Sequence, residues 1–208
     1  VRLSAEPAVR LAALELHRYL DAMGAGPTTV SARRRFRPQP GTLWLGTPPA
    51  LPAHPVTANP GHDAIEVRVD AEGGFVAGAN PRSVLIGVYR LLEALGCRWL
   101  RPGADGEVVP QGTGGLRPVR IAERASYRHR GICIEGAVSW ENVRDIVDWL
   151  PKAGFNAYFI QFRAAFNFFQ RWYEHTGNPS LPRGRFSNQR AERLTRRLRA
   201  QISRRGLD

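Results

Sequence analysis

The residues best suited to chemistry lie in the C-terminal part of the chain. Glu135 closes a short apolar run, HRGICIE, and Gln161 and Arg163 stand at the end of a second, NAYFIQFR. Trp172, Tyr173 and His175 follow on an aromatic stretch that opens with Phe166, Phe168 and Phe169. A carboxylate accepts hydroxyl hydrogen bonds, amides and guanidiniums donate them, and an indole face stacks on C–H surfaces. Gathered at the ends of neighbouring strands, such groups suit a polyhydroxylated ligand. Each also has a plainer reading: a solvated or arginine-paired acid at Glu135, and an aromatic loop packing on itself.

Other chemistries are poorly supplied. The chain has no CxxC and no HExxH, and His17, His54, His62, His129 and His175 show no metal-ligand spacing. Neither a metal nor a cofactor is expected. Cys97 and Cys133 cannot build a disulfide framework; each sits in an apolar segment, CRWL and GICI, and reads as a buried thiol. The net charge is +12, and Lys152 is the single lysine among 30 basic residues. The excess is at the ends, with nine arginines against two acids over 183–208 and seven against three over 1–37. The middle is nearly neutral, so nucleic acid is not the expected partner. The alternative is a basic polyanion-binding module built on the arginines of a helix over 189–205, or a non-catalytic carbohydrate-binding fragment.

The elements that must position these residues follow from periodicity. With 208 residues, 43% of them hydrophobic, the chain can bury a core. No apolar run approaches the roughly 18 residues of a membrane span. The start at Val1, followed by Arg2 rather than an apolar signal core, leaves the compartment open. An apolar face at helical spacing predicts a helix over 5–23, with Ser4 as cap and Gly24 as stop. Short strands are expected over 42–46, 65–70 and 74–79, the last two joined by a turn at DAEGG. Asn80 and Pro81 open a second helix, 83–95, which Gly96 ends. A strand over 97–100 is expected to rejoin the sheet. Residues 101–115 read as loop and 116–126 as a connection out of the first domain.

From Tyr127 the rhythm changes to β-α-β-loop-α: a strand over 129–135, a helix over 140–153 capped by Ser139, a strand over 156–162 buried on both faces, an aromatic loop, and the helix over 189–205. Helices between strands imply parallel pairing. Two strands make no stable sheet covered on both faces. The expected fold class is α/β: an α+β domain over 1–124, then over 125–208 the first two β/α units of a (β/α)8 barrel, the rest absent.

The run NPRSVLIGVYRLLEALGCRWLRPGADGEVVP (80–110) resembles the small domain that precedes the catalytic barrel in β-N-acetylhexosaminidase-like and α-glucuronidase-like glycoside hydrolases, a domain zincin-like in shape but without zinc. YRHRGICIE (127–135) resembles their first barrel strand. DIVDWLPKAGFNAYFIQF (145–162) is similar to the next unit, with its Lys-x-x-x-Asn junction at Lys152 and Asn156. The resemblance implies a glycan substrate, and the apolar runs, all too short for a span, imply no membrane. It makes Arg130 a sugar-binding arginine, although a structural ion pair suits its place early in the strand equally well. Two departures stand out: the second strand ends in Gln161-Phe162-Arg163 rather than a histidine-rich loop, and no catalytic Asp–Glu pair occurs before Asp208. Glu135 is expected to face the barrel mouth, with Arg130 projecting into the interior beneath it.

Overall fold

The computed structural model describes residues 1–53, 61–112, 116–134, 138–161, 165–175, 177–182 and 184–208. Two layers of different construction follow one another. The first is a four-stranded sheet of β1 (Thr42–Gly46), β2 (Ala64–Asp70), β3 (Gly73–Gly78) and β6 (Val119–Arg124), in the order β1-β3-β2-β6. β1 and β3 are parallel; β2 is antiparallel to both of its neighbours. The β2–β3 turn uses Asp70, whose carboxylate accepts the N–H of Glu72 at 2.9 Å. Gly73 and Gly74 follow at φ 133° and 141°, where side chains are strained.

Helices α1 (Pro7–Ala22) and α2 (Pro81–Ala94) pack together and on one face of this sheet. Leu16, Tyr19, Leu85, Leu91, Val67 and Val76 meet in their common core. Asn80 caps α2 by accepting the N–H of Ser83 at 2.9 Å. α1 starts later than Ser4 suggests. Pro7 takes the first helical position and Glu6 the cap, while the Ser4 hydroxyl accepts the N–H of Glu6 upstream of the helix. Among the described residues no helix is long and apolar enough to cross a membrane.

Two further expectations for this layer fail. The strand expected to return the chain to the sheet after α2 is β4 (Arg98–Trp99), which pairs with β5 (Glu107–Val108) in a separate ribbon. The 3-10 turn at Ala104–Gly106 and the Leu100 N–H to Gly106 carbonyl bond (2.9 Å) close that ribbon locally. The supposed connection over 116–126 contains β6. Its alternating Val119 and Ile121 meet the core, and its backbone satisfies the edge of β2.

The second layer is β7 (Gly131–Ile134), α3 (Trp140–Lys152), β8 (Ala157–Ile160), α4 (Ala165–Tyr173) and α5 (Asn188–Arg205). β7 and β8 are parallel, Gly131 opposite Ala157 and Ile134 opposite Ile160. Ser139 and Ser187 cap α3 and α5 through their hydroxyls, and Gly206 (φ 65°) ends α5. The aromatic stretch expected as loop is helix α4. Its Phe168 and Phe169 are fully buried against Trp140 and α5.

β8 is not buried on both faces. Ile132, Ile134, Tyr158 and Ile160 face the helices, but Phe159 on the other face is 60% exposed and Cys133 opposite it is exposed too. Cys133 is therefore not the buried thiol expected from its apolar segment. Cys97 is, and burial pushes its thiol up to about 11. Val147, Leu150, Leu194 and Leu198, which an unfinished barrel would leave poorly covered, are buried between α3 and α5. The exposed apolar side chain lies on the opposite face of the sheet, at Phe159.

Candidate functional site

The C-terminal ends of β7 and β8 form one rim, because the strands are parallel. Gln161 lies there, exposed, with its N–H on the Ile134 carbonyl (3.4 Å) and its side-chain oxygen 4.0 Å from the Cys133 sulfur. Two other sequence candidates, Glu135 and Arg163, lie outside the described residues. Trp172 and His175 are described and lie close together at the end of α4. The His175 N–H bonds to the Trp172 carbonyl at 3.2 Å.

Helix α4 belongs to this same side of the sheet. The Tyr173 hydroxyl accepts the N–H of Trp140, the first residue of α3, at 3.0 Å. Its ring stacks on Phe186, just ahead of α5, and the Arg190 guanidinium sits 4.0 Å from the ring centre. α3 follows the C-terminal end of β7 and α4 that of β8, so the contact with Trp140 ties the end of α4 to the same end of the sheet. Trp172 remains 46% exposed. His175 adopts φ 51°, a strained region for a residue with a side chain, of the kind often kept at binding sites.

Arg130 lies at the other end of the sheet, level with Asn156 and so roughly 17 Å from Gln161 along the strand direction. Its side chain turns toward the first layer. Nε donates to the Gly154 carbonyl (2.9 Å), one Nη to the Tyr127 carbonyl (2.9 Å), and the other to Asp63 Oδ2 (2.8 Å). Asp63 is 3% exposed and collects four more donors: Arg82 Nε (3.1 Å), the Ser83 hydroxyl (2.8 Å), Asn80 Nδ2 (3.2 Å) and Asn156 Nδ2 (2.9 Å). Asn156 is wholly buried and also binds the Arg128 carbonyl and the Arg130 N–H. One carboxylate thus joins the start of α2 to the starts of both parallel strands. A cleft of about 300 Å³, floored by Ile65 and Ile86, lies beside this junction and away from the rim.

The other half of the Lys-x-x-x-Asn junction makes a second tie. Lys152, its side chain 2% exposed, bonds Glu107 of β5 and Asp148 of its own helix. Glu107 also accepts from the Tyr19 hydroxyl (2.7 Å), and Asp148 from Arg205 Nη2 (2.6 Å). Neither Asp63 nor Glu107 carries a local sequence signal. Asn156, a polar residue heading an apolar strand, is the one visible clue.

Burial alone would raise the carboxyls of Asp63, Glu107 and Asp148, but their cations prevail. Hydrogen bonds from Arg130 and attraction to Arg82 lower Asp63; Lys152 lowers Glu107, helped by Tyr19; Lys152 and Arg205 lower Asp148. A carboxyl depressed on folding stabilises the native state fully above its unfolded value of about 4, and the contribution fades as pH falls through the folded value. Thermal midpoints are expected to stay level from neutral pH to about 5 and to drop steeply below about 4. A protein equally stable at pH 3 would show that these ties contribute nothing.

The basic face of α5 is thinner than its composition suggests. Arg190 lies over Tyr173, Arg197 over Trp140, Arg205 binds Asp148 and Arg196 pairs with Glu192.

The chain has a glycosidase-like fold of mixed helix and sheet. It is similar over its whole length to a GH138 enzyme targeting pectin rhamnogalacturonan II, at 13% identity and a TM-score of 0.62. It is similar over 99% of its length to CpGH84D, at 14% identity and a TM-score of 0.51. The chain spans 30% and 39% of those two proteins respectively. No protein family matches the sequence, and no curated protein does.

Proposed function

We propose that the chain is the opening part of a glycoside hydrolase: an accessory α+β domain over 1–124, followed over 125–208 by the first two units of a (β/α)8 barrel. The observation that carries this is the two-stranded parallel sheet. One face is filled by α3, α4 and α5, while the other presents Cys133 and Phe159 uncovered, as strands lining a barrel interior would before their neighbours join. The likeness to the two glycoside hydrolases extends across both layers and supports the same reading. The substrate is a glycan, with an N-acetylhexosamine or a uronic acid as the preferred sugars.

In this reading the sugar lies over the rim. Gln161 donates and accepts hydroxyl hydrogen bonds, Trp172 offers an apolar face and His175 a polar edge. Arg130 is reassigned from sugar contact to positioning the start of β7, because its donors are directed at Asp63 and two backbone carbonyls. The acid pair that breaks the bond lies outside this chain.

The 208-residue chain alone is expected to release nothing from aryl glycosides of N-acetylhexosamines or uronic acids. A longer polypeptide that contains it and completes the barrel is expected to do so. Turnover by this chain alone, abolished by a point substitution within it, would overturn the proposal. So would an inert complete polypeptide.

A further inference from the structure

A second surface has no part in the rim: the back of the four-stranded sheet. Toward β1 and β3 this face is covered by Trp44, Leu51, Ala53, Phe75 and Ala77. Toward β6 it is more exposed, although Ala64 and Glu66, which share this face on β2, are buried. Arg68 on β2 and Arg120, Ala122 and Arg124 on β6 are all exposed there, while Val67, Val69, Val119 and Ile121 between them point to the helices. The β2–β6 register sets Arg68 directly opposite Arg120. Like charges at directly opposite positions destabilise a sheet. The fold offsets this only in part: Glu66 holds Arg68 at 2.6 Å, but Arg120 and Arg124 make no side-chain hydrogen bond or ion pair among the described residues. Arg124 follows Arg120 by four residues, about 13 Å further along the strand.

Resting on the glycan reading above, we infer that this face binds an acidic polysaccharide, its carboxylates paired with Arg68, Arg120 and Arg124. Guanidiniums engage carboxylates through two parallel N–H bonds, and a flat row of them suits an extended chain with repeated charges. A nucleic acid fits less well, because no exposed aromatic ring among the described residues of this face offers a base a stacking platform: Phe75 is 7% and Trp44 3% exposed. On α5 Arg193, Arg196 and Arg197 share a helix face, but Arg196 pairs with Glu192 and Arg197 lies over Trp140, so fewer of its guanidiniums are uncommitted.

The test uses the 208-residue chain and polygalacturonic acid, with its methyl-esterified form and duplex DNA as comparators, in isothermal titration at two salt concentrations. Polygalacturonic acid is expected to bind, more weakly as salt rises, and the esterified form not to bind. The variant Arg68→Gln/Arg120→Gln/Arg124→Gln is expected to lose about tenfold or more in affinity and to show a shallower salt dependence. It is expected to melt no earlier than the parent, because the opposed charges are gone. The variant Arg193→Gln/Arg199→Gln on α5 is expected to bind like the parent. No binding of polygalacturonic acid, equal binding of the esterified polymer, tighter binding of DNA, or loss only in the α5 variant would each overturn the inference. Should the triple variant aggregate, Arg120→Gln alone decides: parent-like affinity means the arginines merely guard a sheet edge. Hydrolysis of neutral aryl glycosides by a complete polypeptide is expected to be untouched by these substitutions, so failure here and failure of the glycosidase reading are separable.

Discussion

Asp63→Ala is expected to lower stability by about 3–5 kcal/mol, the cost of breaking a buried ion pair by removing one partner. For a chain of this size that is roughly a 10 °C fall in melting temperature. Five donors from the start of α2 and the starts of β7 and β8 converge on this carboxylate, and among the described residues no second buried carboxylate bonds to them. Arg82 retains the Gly206 carbonyl and the half-exposed Asp208, so the first layer survives better than the junction. Asp63→Asn is expected to cost nearly as much, because an amide turns one acceptor into a donor facing donors. Arg130→Ala combined with Asp63→Ala is expected to destabilise by at least about 1 kcal/mol less than the sum of the two. Urea titration followed by circular dichroism measures all of these. A loss under about 1 kcal/mol for Asp63→Ala would mean that the junction is held by apolar contact instead.

Lys152→Met is the second large effect. The replacement fills similar space but leaves Glu107 and Asp148 facing each other without the cation that both contact. A loss of about 3–5 kcal/mol at neutral pH is expected. The pH dependence identifies the cause. Without the lysine, both carboxyls are less depressed and take up protons at higher pH, relieving their repulsion. The penalty is therefore expected to shrink as pH falls toward about 4, the ordinary carboxyl value. A penalty that is constant across that range would assign the effect to packing rather than to charge.

Much of the scaffold was legible because local physics writes it. The caps at Asn80 and Ser139, the turn at Asp70 and the stop at Gly96 each involve residues close together in the chain, and each forms as expected. The alternation of strand and helix after Tyr127 announced the parallel pair. Helix α4 was also written locally, since Phe168, Phe169, Trp172 and Tyr173 fall at helical spacing. Aromatic crowding obscured it. β6 showed its Val119 and Ile121 alternation but little bulk, and only the unfilled edge of β2 gave it a reason to be a strand.

The sequence by itself determined helices α1, α2, α3 and α5 with the apolar face of each, the strands β1, β2, β3, β7 and β8, and that the second half repeats a strand–helix rhythm. Those properties depend on neighbours within a turn or a pleat. Only the tertiary structure decided where the charged groups are spent. Asp63 reads as a loop residue, yet it is the acceptor for Arg130, 67 positions away, and for Asn156, 93 away. Arg130 reads equally as a sugar contact or an ion pair, and the direction of its side chain follows from the docking of the two layers. A buried charge must be paired wherever the fold brings a partner, and no local pattern encodes that partner's position.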